Sequence, residues 1–145
     1  MTIPDFNSYG LLPSGIHKAT LDEIRERFCS FGDIQTRNNL FKSLLKYIDT
    51  LKKHNVEFYL CIDGSYVTQK QSPSDLDVLV LYDFEYNNKD WSELVSDKSA
   101  SFRFKGLQIL SAFIDSFGEE NLLDFAQDVK DNMNLRKGII RVVLW

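Results

Sequence analysis

Two short runs of nearly unbroken apolar character mark the middle of the chain: Val56-Glu57-Phe58-Tyr59-Leu60-Cys61-Ile62 and Leu76-Asp77-Val78-Leu79-Val80-Leu81-Tyr82. Branched and aromatic residues fill both, and turn formers flank them, so both read as strands. The second is apolar at every position after Asp77, which suits a strand covered on both faces. Before them, Leu40, Phe41, Leu44, Leu45, Ile48 and Leu51 repeat at helical spacing and predict an amphipathic helix over about Gln35–His54. Thr20 and Glu23 form a capping-box pattern that opens a shorter helix running to about Phe28. Residues 1–19, with two prolines and two glycines, read as an irregular arm packed on a single domain spanning 20–145. Its apolar members Ile3, Phe6, Leu11, Leu12 and Ile16 supply the packing. Downstream the pattern predicts a short helix near Trp91–Ser96, a loop over Asp97–Ser101 and a strand within Phe104–Phe113. An amphipathic helix follows from Glu119 to about Lys130, with Leu122, Leu123, Phe125, Ala126 and Val129 inward, and then a last strand from Gly138 to Trp145. Helices interleaved with strands in this order predict an α/β domain with a small mixed sheet.

Composition narrows the function classes. The length of 145 residues fits one domain, and 43% hydrophobic with 26% charged residues is ordinary for a globular chain. A net charge of −4 argues against coating a phosphate backbone, so no extended nucleic-acid-binding surface is expected. The lysines of the long helix, Lys42, Lys46, Lys52 and Lys53, read as a solvated face. Cys29 and Cys61 read as two reduced thiols, and His17 as a structural or exposed histidine. Two cysteines and two histidines, scattered, make no zinc-type cluster. No apolar run reaches the roughly 18 residues that span a bilayer, and no signal-peptide pattern opens the chain. The expectation is a cytoplasmic protein without a membrane partner.

The candidate chemistry sits between the two central strands. The first ends on Ile62-Asp63-Gly64-Ser65, and after nine intervening residues the chain continues with Asp75-Leu76-Asp77. On an extended chain Asp75 and Asp77 point to one side, about 6.6 Å apart at Cα. Two carboxylates on one face at the entry of a buried strand are costly without a cation or a donor. A turn at Gly64-Ser65 and a strand-start cap at Ser74-Asp75 after Pro73 are the structural alternative.

A strand ending in Gly64-Ser65, a short helical connector and Asp75-x-Asp77 opening the next strand resemble the polymerase-β-type nucleotidyltransferase superfamily. Leu12–Thr20, Asp63–Lys70 and Lys137–Ile140 extend the resemblance to one group of small bacterial proteins of that superfamily, over nearly the whole chain. The resemblance implies a nucleotidyltransferase-like fold. It also implies transfer of a nucleotidyl group, AMP from ATP, to a hydroxyl on a protein or RNA. Asp75 and Asp77 would then be catalytic and hold Mg²⁺ or Mn²⁺, while Gly64, Ser65 and Lys70 would bind the nucleoside triphosphate. Active members carry a third carboxylate on a later strand, and the residue aligned there is Gln108, which offers neither charge nor a base. Asp83 and Glu85 are poorly placed substitutes, since Asp83 lies about 20 Å along an extended chain from Asp77. The missing acid raises a second reading: a catalytically degenerate fold that binds a nucleotide or a protein, such as the antitoxin-like half of a toxin–antitoxin or defence pair.

Overall fold

The apolar stripe of the long helix meets the two central strands in the structure, a computed structural model that describes residues 3–86, 88–130 and 132–145. The elements are β1 (Gly15–Thr20), α1 (Leu21–Phe28), α2 (Ile34–Lys52), β2 (Phe58–Asp63), a single 3₁₀ turn (Ser65–Val67), β3 (Leu76–Tyr82), α3 (Lys89–Leu94) and α4 (Asp97–Arg103). They continue as β4 (Leu107–Phe113), α5 (Phe117–Phe125), β5 (Asp128–Val129), β6 (Asn132–Arg136) and β7 (Gly138–Val143). Five strands form one mixed sheet in the order β1-β7-β2-β3-β4, and β5 pairs with β6 as a separate hairpin. β2 runs antiparallel to β3 and β7, whereas β1–β7 and β3–β4 are parallel. The chain is therefore a mixed α/β domain. Among the described residues no helix is long and apolar enough to cross a membrane.

Strand periodicity divides the sheet into two unequal faces. Leu60, Ile62, Val78, Val80, Leu107, Ile109, Ile140 and Val142 point to a helix-covered face and join Ile24, Phe28, Leu40, Leu44, Ile48 and Trp91 in the main core. Cys61, Leu79, Leu81, Ala126 and Ile139 form a much smaller cluster on the opposite face, edged by Tyr59, Leu122 and Leu123. The helix-covered face supplies most of the buried apolar area and hence most of the driving force for folding. The thin face leaves room for a cleft.

Several elements differ from the expectation, among them the β5–β6 hairpin, for which no strand is predicted. Gly15–Thr20 is not part of an irregular arm; it is the edge strand β1, paired residue for residue with β7 from Gly15↔Gly138 to Thr20↔Val143. Its sequence shows little apolar alternation because only Ala19 is buried, so pairing rather than pattern makes it a strand. The expected loop after α3 contains α4, whose Asp97 accepts the outward-pointing Ile109 amide of edge strand β4 at 2.7 Å. The helix expected to run to Lys130 stops at Phe125, and its Val129 belongs to the hairpin. No residue of α5 is buried, and Phe125 is 67% exposed. The sheet at that end presents Asp63 and Asp77 beside an exposed Leu110, so the phenyl ring is not enclosed there.

The connector from Gly64 to Asp75 is fixed by a residue with no obvious signal in the sequence. Arg37 of α2 is fully buried. Its Nη1 donates to the carbonyls of Phe28 (3.2 Å) and Tyr66 (2.7 Å), and its Nη2 to those of Thr68 (2.9 Å) and Lys70 (2.5 Å). The guanidinium also lies 4.2 Å from the Phe31 ring centroid. A second tie comes from Asp33, whose amide donates to the Gln71 carbonyl at 2.7 Å and whose carboxylate accepts from Ser72 Oγ at 3.2 Å. A planar fork is suited to this task, because one side chain satisfies three carbonyls of the connector and ties them to the end of α1 through a fourth, that of Phe28. Removing it strands buried acceptors at about 1–3 kcal/mol each, partly relieved by relaxation. Arg37→Met is therefore expected to cost about 3–5 kcal/mol in urea unfolding, and Arg37→Lys, lacking the fork, to recover little of it. A loss below about 1 kcal/mol would show that the connector holds without the clamp.

Candidate functional site

β2 and β3 pair in a register that places Asp63 directly opposite Asp77. Both project onto the thin face of the sheet, two residues beyond Cys61 and Leu79. Like charges opposite each other on a sheet are destabilising, and burial worsens the conflict. Asp63 is only 6% exposed, and Asp77 is half-buried. One Asp77 oxygen, Oδ1, is buried without a hydrogen-bond partner among the described residues. Burial, then Asp63 and Asp75, push the Asp77 carboxyl up to about 6, against an opposing pull from Lys137. Burial likewise raises Asp63 above the usual carboxylate range.

Gly64 is what allows the two strands to end in this way. Its φ of +85° lies in the region that favours glycine, and a Cβ there would come within 2.9 Å of Asp77 Oδ2. The carboxylate thus occupies space that a side chain would fill. The turn that follows carries Ser65, whose carbonyl accepts from Thr68.

Asp75 stands just before β3, half-buried, and Gln108 Nε2 donates to its Oδ2 at 3.1 Å. Gln108 itself lies beside Asp77 in the parallel β3–β4 register. The position aligned from the sequence with a third acid is therefore adjacent to the pair in space, and its amide serves as a donor there. Asp83 and Glu85 follow the far end of β3, where the Asp83 amide donates to the Glu57 carbonyl, away from the pair. The acid beside the pair is Asp63, which the sequence reading passed over. Its signal was strand parity: Tyr59, Cys61 and Asp63 share one face once β2 is extended to Asp63.

A cleft of about 420 Å³ opens beside these groups, lined by Asp63, Asp77, Leu110, Phe125, Ala126, Asp128, Lys130 and Lys137. Lys137 Nζ lies 3.1 Å from Asp63 Oδ1. This is an ion pair rather than a well-directed hydrogen bond, since Oδ1 has no donor in bonding geometry. Lys70, expected to meet a phosphate, is exposed on the connector and gives its carbonyl to Arg37; the cations lining the cleft are Lys130 and Lys137. A separate cavity of about 310 Å³, lined by Lys18, Tyr59, Arg141 and Trp145, lies toward the other end of β2 and contains none of the acids of the pair.

A family model matches residues 4–143. The chain belongs to DUF6932, a family of unknown function. No curated protein and no solved structure matches the chain. The family match spans every element that builds the cleft, from β1 to β7.

The donor set admits a particular kind of cation. Among the described residues no three His, Cys, Asp or Glu side chains converge on one point suited to a metal. Mg²⁺ keeps several waters and is commonly held by one or two carboxylates together with substrate phosphates, rather than by an all-protein cage. An unpartnered buried Asp77 oxygen next to two further carboxylates fits an ion of that kind, arriving with its own oxygen ligands.

Asp77 makes the metal-free site a cost to stability, with a definite sign. Its folded-state value of about 6 lies above the unfolded 3.8, so folding favours the protonated form. The penalty is absent below about pH 4, grows as pH rises to about 6, and is complete at neutral pH. Asp77→Asn should therefore stabilise the metal-free protein at pH 7 by about 1–2 kcal/mol after allowance for solvent screening, and by almost nothing at pH 4. Thermal unfolding across that range is the check, and a lower midpoint for the variant at pH 7 would contradict the assignment.

Proposed function

We propose that the Asp63–Asp75–Asp77 cleft binds a nucleoside triphosphate together with a divalent metal ion. In this reading the protein has a nucleotidyltransferase-like fold and transfers AMP from ATP to a hydroxyl on a protein or RNA. The observation that carries the reading is the buried, unpartnered Asp77 oxygen opposite Asp63 and against Gly64, an arrangement costly to keep unless a cation uses it. Asp75 and Asp77 would hold the ion, which when bound supplies charge neutralisation to the phosphates. Gly64 permits close backbone approach, and Ser65, one residue on, offers a hydroxyl donor. Lys137 and Lys130 bring positive charge to the same cleft. Phosphoryl chemistry asks chiefly for positioning and electrostatics, and the connector clamped by Arg37 serves the first need.

The Gln108–Asp75 hydrogen bond favours a second reading, in which the cleft binds a nucleotide or a protein partner without turnover, as an antitoxin-like component would. An amide cannot accept a proton from an attacking hydroxyl, and such general-base help is typically worth about 10²–10⁴-fold. Calorimetry with Mg²⁺–ATP should show binding that depends on the ion and is lost in Asp75→Asn/Asp77→Asn. Affinity unchanged by ion or variant would sink the metal role. With ATP labelled at the α-phosphate, the enzyme reading expects label on a protein or RNA acceptor with wild type and none with the double variant. Tight binding without labelling, reversed in Gln108→Asp, would instead establish the degenerate site.

A further inference from the structure

Lys137 stands out among the residues of the cleft because it is held from both sides. It links β6 to β7, its amide donates to the Gln127 carbonyl at 2.8 Å, and the next amide, that of Gly138, donates to the Leu12 carbonyl at 2.9 Å. A Cβ on Gly138 would come within 2.2 Å of the Pro13 carbonyl, so this corner of the backbone has no slack. The side chain is 16% exposed, and its ammonium reaches Asp63, whose own side chain is 8% exposed. A lysine this buried beside a carboxylate this buried is a placed group, not a surface pair.

Its charge falls short of what surrounds it. Asp77 feels the carboxylates of Asp63, Asp75 and Asp97 and one cation, Lys137. Of Asp63, Asp75 and Asp77, the ammonium touches Asp63 alone, and Asp63 Oδ1 and Asp77 Oδ1 both remain without a directed donor. Lys130, the other lysine lining the cleft, is exposed, so among the described residues Lys137 is the one buried ammonium beside Asp63, Asp75 and Asp77; it offsets one of their three charges when all are ionised, and a divalent cation suits the remainder. An ammonium on a flexible stem is also a donor that can move, unlike a guanidinium fork fixed in one plane.

We infer that Lys137 is an exchangeable internal cation: it neutralises Asp63 when the cleft holds no divalent ion and releases that carboxylate when a metal–triphosphate enters, turning its ammonium to the phosphates. The inference rests on the proposed function of the cleft and adds a selectivity to it. Lys137 competes with a bare metal ion for Asp63 but cooperates with an ion that arrives carrying phosphate, since the displaced charge then has a new partner. The site thereby discriminates against free divalent cations and in favour of the nucleotide complex.

The two effects have opposite signs, and one variant reads both. Lys137→Met keeps the stem volume and removes the charge. Free Mn²⁺, followed by its electron paramagnetic resonance signal, should bind Lys137→Met at least about tenfold more tightly than wild type, because a repelling charge has left. Mn²⁺–ATP, followed by calorimetry, should bind the same variant more weakly than wild type. Lys137→Arg should keep free Mn²⁺ affinity low. In Asp63→Asn/Lys137→Met the gain in free Mn²⁺ affinity should disappear, because Asp63 is the ligand that was freed. This double variant also removes the unpaired buried carboxylate should the single variant fold poorly. Equal free Mn²⁺ affinity in wild type and Lys137→Met, with Mn²⁺–ATP bound by both, would overturn the role of Lys137 and leave the site standing. Failure of wild type and both variants to bind Mn²⁺ or Mn²⁺–ATP would overturn the site reading and this inference with it.

Discussion

The cross-strand confrontation of Asp63 and Asp77 is the constraint around which the rest of the molecule is arranged. Two carboxylates cannot share a half-buried sheet face without compensation, and the fold supplies only part of it. Gly64 vacates the space that Asp77 fills, Lys137 faces Asp63, and Gln108 occupies Asp75. One Asp77 oxygen remains without a partner. A core that served stability alone would replace this pair with apolar side chains, as Cys61 and Leu79 do one step along the same strands. Retaining a destabilising cluster at one end of an otherwise well-packed sheet is the pattern of a functional site.

The supporting structure is divided accordingly. The helix-covered face holds most of the buried large apolar side chains, so the opposite face can be thin, polar at one end and lined by an element as lightly attached as α5. Beside the Leu122 and Leu123 contacts, α5 is tied down by a hydrogen bond from Tyr59 to Glu119. The connector that delivers Asp75 is irregular along most of its length, yet Arg37 and Asp33 hold its carbonyls and one of its hydroxyls. Rigidity at the site is thus borrowed from α2, which belongs to the strongly packed side.

The parts of the fold that were legible in the sequence were those whose pattern follows from burial. β3 spans Leu76–Tyr82 as expected because a strand covered on both faces is apolar at every position. α2 falls within a residue or two of its expected ends because its stripe faces a flat sheet. β1 was illegible because an edge strand with one buried residue owes its conformation to β7, and the β5–β6 hairpin because no glycine or proline marks its turn. The site divides in the same way. Gly64, Ser65, Asp75 and Asp77 are close in sequence and make a recognisable spacing. Asp63 was visible as a letter but not as a ligand candidate, since its role depends on the β2–β3 register. Lys137 comes from the opposite end of the chain and is brought to Asp63 by the β2–β7 pairing, which no local pattern encodes.

The most direct measurement asks whether, and where, the protein binds a divalent cation. Substoichiometric Mn²⁺ with a non-hydrolysable ATP analogue, added to isotope-labelled protein, broadens amide resonances near the ion in proportion to proximity. The account predicts broadening centred on Gly64, Asp77 and Gln108, spreading to Lys137, and lost in Asp75→Asn/Asp77→Asn. Broadening centred on exposed acids elsewhere, such as Glu119 and Glu120 of α5, or none at the β2–β3 end, would contradict it.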